Sequence, residues 1–324
     1  MNDPKALVQE RLARNSWGLL GTQGYVLGLD AGSYGLRAAL VDLRSHTYEC
    51  RHREPATENA ESVVSGVIEL AQGLLRDHRV DPSRLVRVGA GFGGPVDARA
   101  GIVLLSPRMP GWERFPLKER IEDAFGAVAL IDNDANLIAL AEATFGVAHD
   151  TQHMVYIHLS TGVGGGLVLN RRLYHGATTT AGEIGHAVVG AVDPIWRERG
   201  LGTLEQHLSI KGLLQRAAEL GLETNLLQDI FSDQPVARQV VTEAVDVLAV
   251  AVSQIIALID PQMVVIGGVV ARVGGEAFFD ALRERVRYYS GDLLQRNVAI
   301  VPSVLGADSV AIGGIALALE SMGE

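Results

Sequence analysis

The sequence predicts an α/β fold built as two similar halves, and three observations carry the prediction. With 324 residues, the chain exceeds the roughly 100–200 of a single domain, so two domains are the default. Apolar runs of strand length alternate with segments of helical period, the pattern of α/β folds. The third observation is an internal echo. Residues 25–30 read YVLGLD, followed by AGSYG, LRAALVDL, a polar turn and HTYECRHRE. From His153 the chain reads HMVYIHLS, TGVGG, GLVLN and RRLYHG. In both places an apolar strand ends in a polar residue, a glycine-rich turn leads to a second strand, and a short turn leads to a third. The identity is weak, so a chance likeness of two hairpins stays open as the alternative. Two such halves imply a cleft between them with a ligand bound in it.

The elements between the hairpins follow from local signals. Arg84 to Phe92 is an apolar run leading into glycines. Pro116 to Phe125 has helical character and stops at Gly126. Ala127 to Ile131 is a short buried strand, and Asp132-Asn133-Asp134 then occupies the place of a helix N-cap. The following ANLIALAEATFG keeps helical period to Gly146. Pro235 to Ile259 is a long helix that ends at Asp260-Pro261, because a residue before proline is biased away from helical angles. The strand MVVIGG follows at once, and Ala307 to Glu320 closes the chain as a glycine-interrupted helix. The expected layout is an N-terminal extension, 1–23, without an assignable function, then a first α/β domain, 24–131, completed by the C-terminal helix 308–324. A second domain spans 132–307.

Composition excludes several function classes. Hydrophobic residues make up 48% and charged residues 20%, which is globular composition with ample core material. Glycine is abundant at 37 residues and aromatics are scarce at 5%, a balance that suits tight backbone turns around a small ligand. The net charge of −10 disfavours contact with nucleic acid or an anionic membrane. Cys50 is the single cysteine, so an internal disulfide and any cysteine-rich metal site are ruled out. The first twenty residues lack the apolar core of a secretory signal. Val247 to Ile259, the longest apolar-rich segment, is too short for a membrane span and carries Ser253 and Gln254. A soluble cytoplasmic protein is expected.

Four stretches carry the chemistry. Two are the glycine turns. The first, around Asp30 and Gly32-Ser33-Tyr34-Gly35, sets phosphate-loop glycines beside a bulky phenol. The second, Leu159 to Gly166, exposes a run of backbone N–H groups, and Ser160 and Thr161 add hydroxyls, which suits a polyphosphate. A tight hairpin needing positive φ is the plainer explanation, although one turn rarely needs four glycines. The third is Asp132 to Asp134. A carboxylate and an amide at the end of a buried strand can take a proton from one substrate hydroxyl and hold its neighbour, or can simply cap a helix. The fourth is AGEIGH, Ala181 to His186, with TLEQH, Thr203 to His207, downstream. Glu183 and His186 are three apart and suit one helical face, but metal sites need three or four partners. The remaining histidines, His46, His52, His78, His149, His153, His158, His175 and His207, form no constellation in the sequence.

Taken together, GLDAGSYGLRAALVD, GFGGPVD, PGWERFPL, IDNDANLIALAE, LSTGVGGGLV, LYHGATTTAGEIGH and GTLE resemble, in order, the motifs of the ROK family of repressors, open-reading-frame proteins and sugar kinases. The likeness runs from about Gly24 to the C-terminus. It implies the actin-like ATPase fold, in which two ribonuclease-H-like domains flank a cleft. It implies that Asp134 is the base that activates a sugar hydroxyl for attack on the γ-phosphate of ATP. It implies sugar-hydroxyl ligands at Asn133, Glu183, His186 and Glu205. Gly162, Gly164 and Gly165, with Thr161, match the second phosphate loop. Asp30 matches the first-loop carboxylate near Mg²⁺ and phosphate, with Gly32 and Ser33 beside it. Gly267 and Gly268 match a glycine pair at the nucleoside end. A homodimer is the family expectation.

Two departures from the family pattern stand out. Where many members carry a cysteine cluster for zinc after the histidine, alignment of GTLE puts Trp196, Glu198 and Thr203 at cysteine positions. Tryptophan and threonine do not replace thiolates, so no structural zinc is expected and the loop is held by packing, with Trp196 as the candidate anchor. In the first loop, kinases of the family usually read DxGGT and then a basic residue. Here Ser33, Tyr34 and Gly35 replace a glycine, the threonine and the basic residue. One lost hydrogen bond to a charged phosphate costs about 1.5–3 kcal/mol, which weakens a kinase without abolishing it. The leading expectation is therefore an ATP- and Mg²⁺-dependent kinase of a hexose or amino-hexose. The alternative is a sugar-binding regulator or pseudokinase. The two dozen residues before the first strand are too few for the winged helix of a repressor, so this chain itself is not expected to bind DNA; a longer gene product with a basic N-terminal domain would reverse that ranking.

Overall fold

The computed structural model describes residues 3–14, 23–32, 35–54, 59–106, 109–189, 202–294 and 298–322. Two compact units form: Met1–His149 with Gly176–Thr179 and Val304–Glu324, and Asp150–His175 with Thr180–Ser303.

In the first unit, the strands β1 (Tyr25–Gly32), β2 (Gly35–Asp42) and β3 (Thr47–Arg53) run antiparallel to their neighbours. Beyond β1, β4 (Leu85–Phe92) and β7 (Ala129–Asn133) continue the sheet in parallel, giving the order β3-β2-β1-β4-β7. A small ribbon, β5 (Val96–Asp97) with β6 (Ile102–Val103), stands between them in the chain. The helices are α1 (Pro4–Arg14), α2 (Ala60–Asp77), α3 (Leu117–Phe125), α4 (Asp134–Thr144) and, at the end of the chain, α10 (Ser309–Glu320).

The two faces of this sheet are covered in different ways. Leu27, Leu29, Ala38, Leu40, Val88 and Ala90 are buried with the apolar stripe of α2, Val63, Val64, Val67 and Leu74. The opposite face carries glycines. A Cβ on Gly28 or Gly89 would collide with the backbone of α10 at Ala311 or Gly314. Strand and helix backbones therefore touch directly, which explains the glycine-interrupted pattern of the last helix. α4 packs along α10, so it belongs to the first unit, and the division falls after His149 rather than after residue 131. Helix α2 was not among the elements read from the sequence, although Val63, Val64, Val67, Ala71, Leu74 and Leu75 recur at helical spacing; its start is well specified. Asn59 accepts from Ser62 N–H, and Ser62 Oγ accepts from Asn59 N–H, a reciprocal cap. The N-terminal extension also has structure: Val8 and Leu12 of α1 are buried, and Lys5 Nζ lies 2.7 Å from Glu49 on β3.

The second unit repeats the same plan. β8 (His153–Leu159), β9 (Val163–Leu169) and β10 (Arg172–Leu173) are antiparallel, and β11 (Met263–Gly267) and β12 (Ala299–Pro302) add on in parallel, giving β10-β9-β8-β11-β12. Both sheets thus place their hairpin strands and parallel strands in the same order, and the echo in the sequence is a repeat of topology. The helices are α5 (Leu204–Leu208), α6 (Ile210–Glu219), α7 (Leu227–Ile230), α8 (Pro235–Ile259) and α9 (Val269–Leu294), the last broken at Gly275 and Gly291. α8 is long and apolar enough to cross a membrane by composition, yet Val240, Val245, Leu248, Val252 and Ile256 lie in the core with Ile157, Val264 and Ile266. It reads as a core helix of this unit.

Candidate functional site

The chemistry of the first unit gathers at the C-terminal ends of its parallel strands, where open α/β sheets bind ligands. Asp30 on β1, Gly91 on β4 and Asp132 on β7 are register partners across the sheet. Asp30 is buried; its Oδ1 accepts from Gly32 N–H at 2.8 Å, and its Oδ2 lies 3.5 Å from Arg37 Nη1. Burial pushes the Asp30 carboxyl up to about 7; Arg37 and the Gly32 N–H pull it down, and the neighbouring Asp134 pushes it further up. Arg37 Nε also lies 3.3 Å from Asp308 at the start of α10, so one guanidinium serves two carboxylates.

Asn133 and Asp134 sit at the junction of β7 and α4. Asn133 Oδ1 accepts from Ala135 N–H at 2.9 Å, the helix cap that the sequence offered as the plainer reading. Its Nδ2 donates to the Gly94 carbonyl at 2.9 Å, so the amide is used twice within the protein. Asp134 Oδ1 accepts from Ala135 N–H at 2.7 Å, while its Oδ2 lies against Gly93, 3.1 Å from where a Cβ would stand. Asp132, between them in the sequence motif, is buried and accepts from Asn133 N–H and Asn136 Nδ2. It supports the junction rather than facing outward.

In the second unit, the turn between β8 and β9 is closed by Ser160 N–H donating to the Gly162 carbonyl at 3.0 Å. Thr161 and Gly162 form this turn, and Gly164 and Gly165 pair with His158 and Ile157. Glu183 precedes and His186 ends a single 3₁₀ turn, Ile184–His186, rather than sharing one face of an α-helix, and Glu183 Oε2 lies 3.9 Å from His186 Nε2. Glu205 on α5 reaches the glycine turn itself, its Oε2 accepting from Val163 N–H at 3.0 Å. Gly267 ends β11 and Gly268 follows it. A Cβ on Gly267 would collide with the Tyr156 hydroxyl, and Gly268, at φ +93°, lies on the Leu159 backbone.

Ser33, Tyr34, Trp17, Trp196 and Glu198 lie outside the described residues. Thr203 is described; it precedes α5 and bridges Val188, with its side chain making no cap bond. Among the described residues, no group of three or more His, Cys, Asp or Glu is arranged to hold a metal ion.

Three features of these sites escaped the sequence reading. Arg37 restores a cation near the first loop, two residues beyond the glycine that stands at the family's basic position. Its signal was an arginine interrupting an otherwise apolar strand. Gly93 and Gly94 form the floor beneath Asp134 and Asn133. His158, assigned no role from the sequence, shares a 2.8 Å hydrogen bond between its Nδ1 and the Tyr156 hydroxyl. Burial and the nearby Arg272 push its pKa down to about 4.

Known proteins share this architecture. The ROK hexokinase from Thermus thermophilus superposes with a TM-score of 0.80 at 28% identity, covering 92% of this chain and 99% of that one. The glucokinase of Thermotoga maritima is 28% identical over 316 residues, which is 92% of this chain and 98% of the relative. The xylose repressor of Caldicellulosiruptor bescii is 25% identical over 317 residues, 92% of this chain and 79% of the relative. The fold is therefore the actin-like ATPase fold of these sugar kinases. The model of the ROK family matches residues 26–321, and the chain belongs to the ROK family.

Proposed function

We propose that this protein is an ATP-dependent kinase that phosphorylates a hydroxyl of a hexose or amino-hexose. The observation that carries the reading is Asp134 at the first position of α4, with Oδ1 accepting from a backbone N–H, Oδ2 beside Gly93, and Asp30 close enough for the two charges to interact. A helix N-terminus favours the ionised carboxylate, the form that accepts a proton. In this reading, Asp134 takes the proton of the sugar hydroxyl as that oxygen bonds to the γ-phosphorus and the bond to the departing ADP oxygen breaks. Positioning and electrostatics supply most of the catalysis in such transfers. Glu183, His186 and Glu205 orient the sugar hydroxyls. Backbone N–H groups of the second glycine loop, other than that of Val163, which Glu205 takes, hold phosphate.

Asp30 suits a Mg²⁺ ion shared with the nucleotide phosphates. Burial and the nearby charge of Asp134 make Asp30 costly as a bare carboxylate, and Mg²⁺ is commonly held by one or two carboxylates plus phosphate oxygens. The ion supplies neutralisation of charge developing on the phosphate oxygens. The proposal includes a cytoplasmic homodimer, checked by light scattering, and no zinc, checked by elemental analysis of the purified protein.

The sequence similarity to a glucokinase and a hexokinase supports the kinase reading. A second reading, a sugar-responsive regulator with weak or absent transfer, is favoured by the altered first loop, by Arg37 already paired with Asp30, and by the similarity to a xylose repressor. That reading leaves a nucleic acid partner open. A coupled ADP-release assay across a hexose panel, run beside thermal shifts with each sugar and with ATP, separates the two. Sugar-dependent ADP release supports the kinase. Stabilisation by a sugar but not by ATP, without ADP release, overturns it in favour of the regulator.

A further inference from the structure

We propose that Glu205 is a positioning residue that ties occupancy of the sugar site to the geometry of the second glycine loop. The inference rests on the assignment of Glu205 to the sugar and of residues 161–165 to phosphate.

The argument starts at Val163, the first residue of β9 and the centre of the loop motif. Its N–H donates to Glu205 Oε2 at 3.0 Å. Its carbonyl oxygen lies directly against Gly185, where a Cβ would collide with it. Both polar groups of one loop residue are therefore engaged by the segment that carries Glu183, His186 and Glu205. A second close approach repeats the pattern, since a Cβ on Gly182, at φ +96°, would collide with the Gly165 carbonyl. The segment is itself held together. Leu204 N–H donates to the Ala187 carbonyl and Val189 N–H to the Gly202 carbonyl, each at 2.9 Å, so the residue after the 3₁₀ turn is joined directly to the start of α5. Ile210 N–H donates to the Ser160 carbonyl at 2.8 Å, fixing the other end of the loop.

A carboxylate has two oxygens, and Glu205 spends one on Val163. Among the described residues, Oε1 takes no protein donor. A sugar hydroxyl on Oε1 orders the same side chain that orders Val163, whose neighbours Gly162 and Gly164 present the loop's N–H groups. Glu205 is half-buried near the start of a short helix, and Val163 N–H is the partner that holds it. Ordering by the first ligand lowers the ordering cost met by the second, which is positive coupling without a change of fold.

Two variants of the full-length chain test this. Glu205→Ala removes the acceptor for Val163. Glu205→Gln keeps a carbonyl acceptor of the same shape while altering the sugar-facing group. Hydrogen exchange across residues 160–165 is expected to accelerate about tenfold in Glu205→Ala and to stay near wild type in Glu205→Gln, with melting temperatures as the control for global folding. Glucose, or whichever panel sugar stabilises the wild type, is expected to slow that exchange in wild type and not in Glu205→Ala. ADP affinity measured without sugar by calorimetry is expected to fall about tenfold in Glu205→Ala and to recover in Glu205→Gln. If both variants lose sugar affinity while exchange at 160–165 stays as in wild type, Glu205 is a sugar ligand only and the inference is overturned. If wild type binds no ADP, the kinase reading fails, and the exchange measurement still decides the inference.

Discussion

The β1–β2 and β8–β9 hairpins occupy equivalent places in two sheets of the same strand order, yet the strand ends beside their turns are held by opposite means. In the first hairpin charged side chains meet: Asp30 beside Arg37, and Arg37 reaching on to Asp308. The second is held by backbone approach at Gly182 and Gly185 and by a single carboxylate, Glu205. Near the end of β1 stands a buried acid, Asp30, and near the end of β8 a half-buried base, His158, bonded to Tyr156. A repeated frame fixes where a loop stands. The side chains grafted on it decide whether it carries charge or bare N–H groups.

The largest expected effect tests whether Asp134, the carboxylate that neighbours the charged hairpin, serves catalysis. Asp134→Asn is expected to lower turnover by about 10²–10⁴, the range for loss of a general base, while sugar binding persists. Steady-state ADP release and calorimetric sugar titration measure the two parts, and unchanged turnover removes the assigned role.

The next concerns how deeply each unit depends on buried charge. Glu142 on α4 is fully buried, and its carboxylate accepts from Val147, Val304 and Leu305 N–H. Glu142→Ala strands those amides and is expected to destabilise the fold by about 3 kcal/mol, read from denaturant midpoints. In the second unit, Arg216 pairs with Glu243 through Nε at 2.7 Å, but both side chains are well exposed. Arg216→Ala is expected to cost only about 0.5 kcal/mol, the smallest effect of the set, because solvent screens such pairs. Equal losses in the two variants would break the contrast.

Between these lies an effect of opposite sign in the two units. Asp30 rises from 3.8 to about 7, so its contribution to stability is full below pH 3.8 and is lost as pH rises through 7. His158 falls from 6.5 to about 4, so its contribution is present above pH 6.5 and is lost as pH falls through 4. Asp30→Asn is therefore expected to gain stability relative to wild type as pH rises towards 7. His158→Gln, which keeps a partner for Tyr156, is expected to gain as pH falls towards 4. Each difference has a slope of at most about 1.4 kcal/mol per pH unit. Thermal midpoints of the two variants across pH 4–8 check the signs, and a shared sign would show that one assignment is wrong.

Much of the frame was legible because it rests on local signals. The strand Leu85–Phe92, the helix stopped by Gly126, the helix opened by Asn133 and the helix ended at Asp260 all follow from period, cap and breaker residues close in the chain. Helix α2 was not read although its apolar residues recur at helical spacing; its reciprocal cap, Asn59 with Ser62, is an atypical one that lacks the usual acidic third residue. Asn133 was read both as a cap and as a ligand; its cap bond is present and its Nδ2 is spent on Gly94. The 3₁₀ geometry of Ile184–His186 was not legible, because backbone contact with β9 rather than any helical period shapes that turn.

By itself, the sequence determined the repeated hairpins, the alternation of strands and helices, and the family motifs with Asp134 at the mouth of a helix. These depend on neighbours a few residues apart. Only the tertiary structure decided that Arg37 guards Asp30, that Tyr156 shares a hydrogen bond with a neutral His158 beneath Gly267, and that Glu205 holds Val163. Each joins separate elements or depends on burial, and both distance and dielectric are set by packing. A periodicity carries neither.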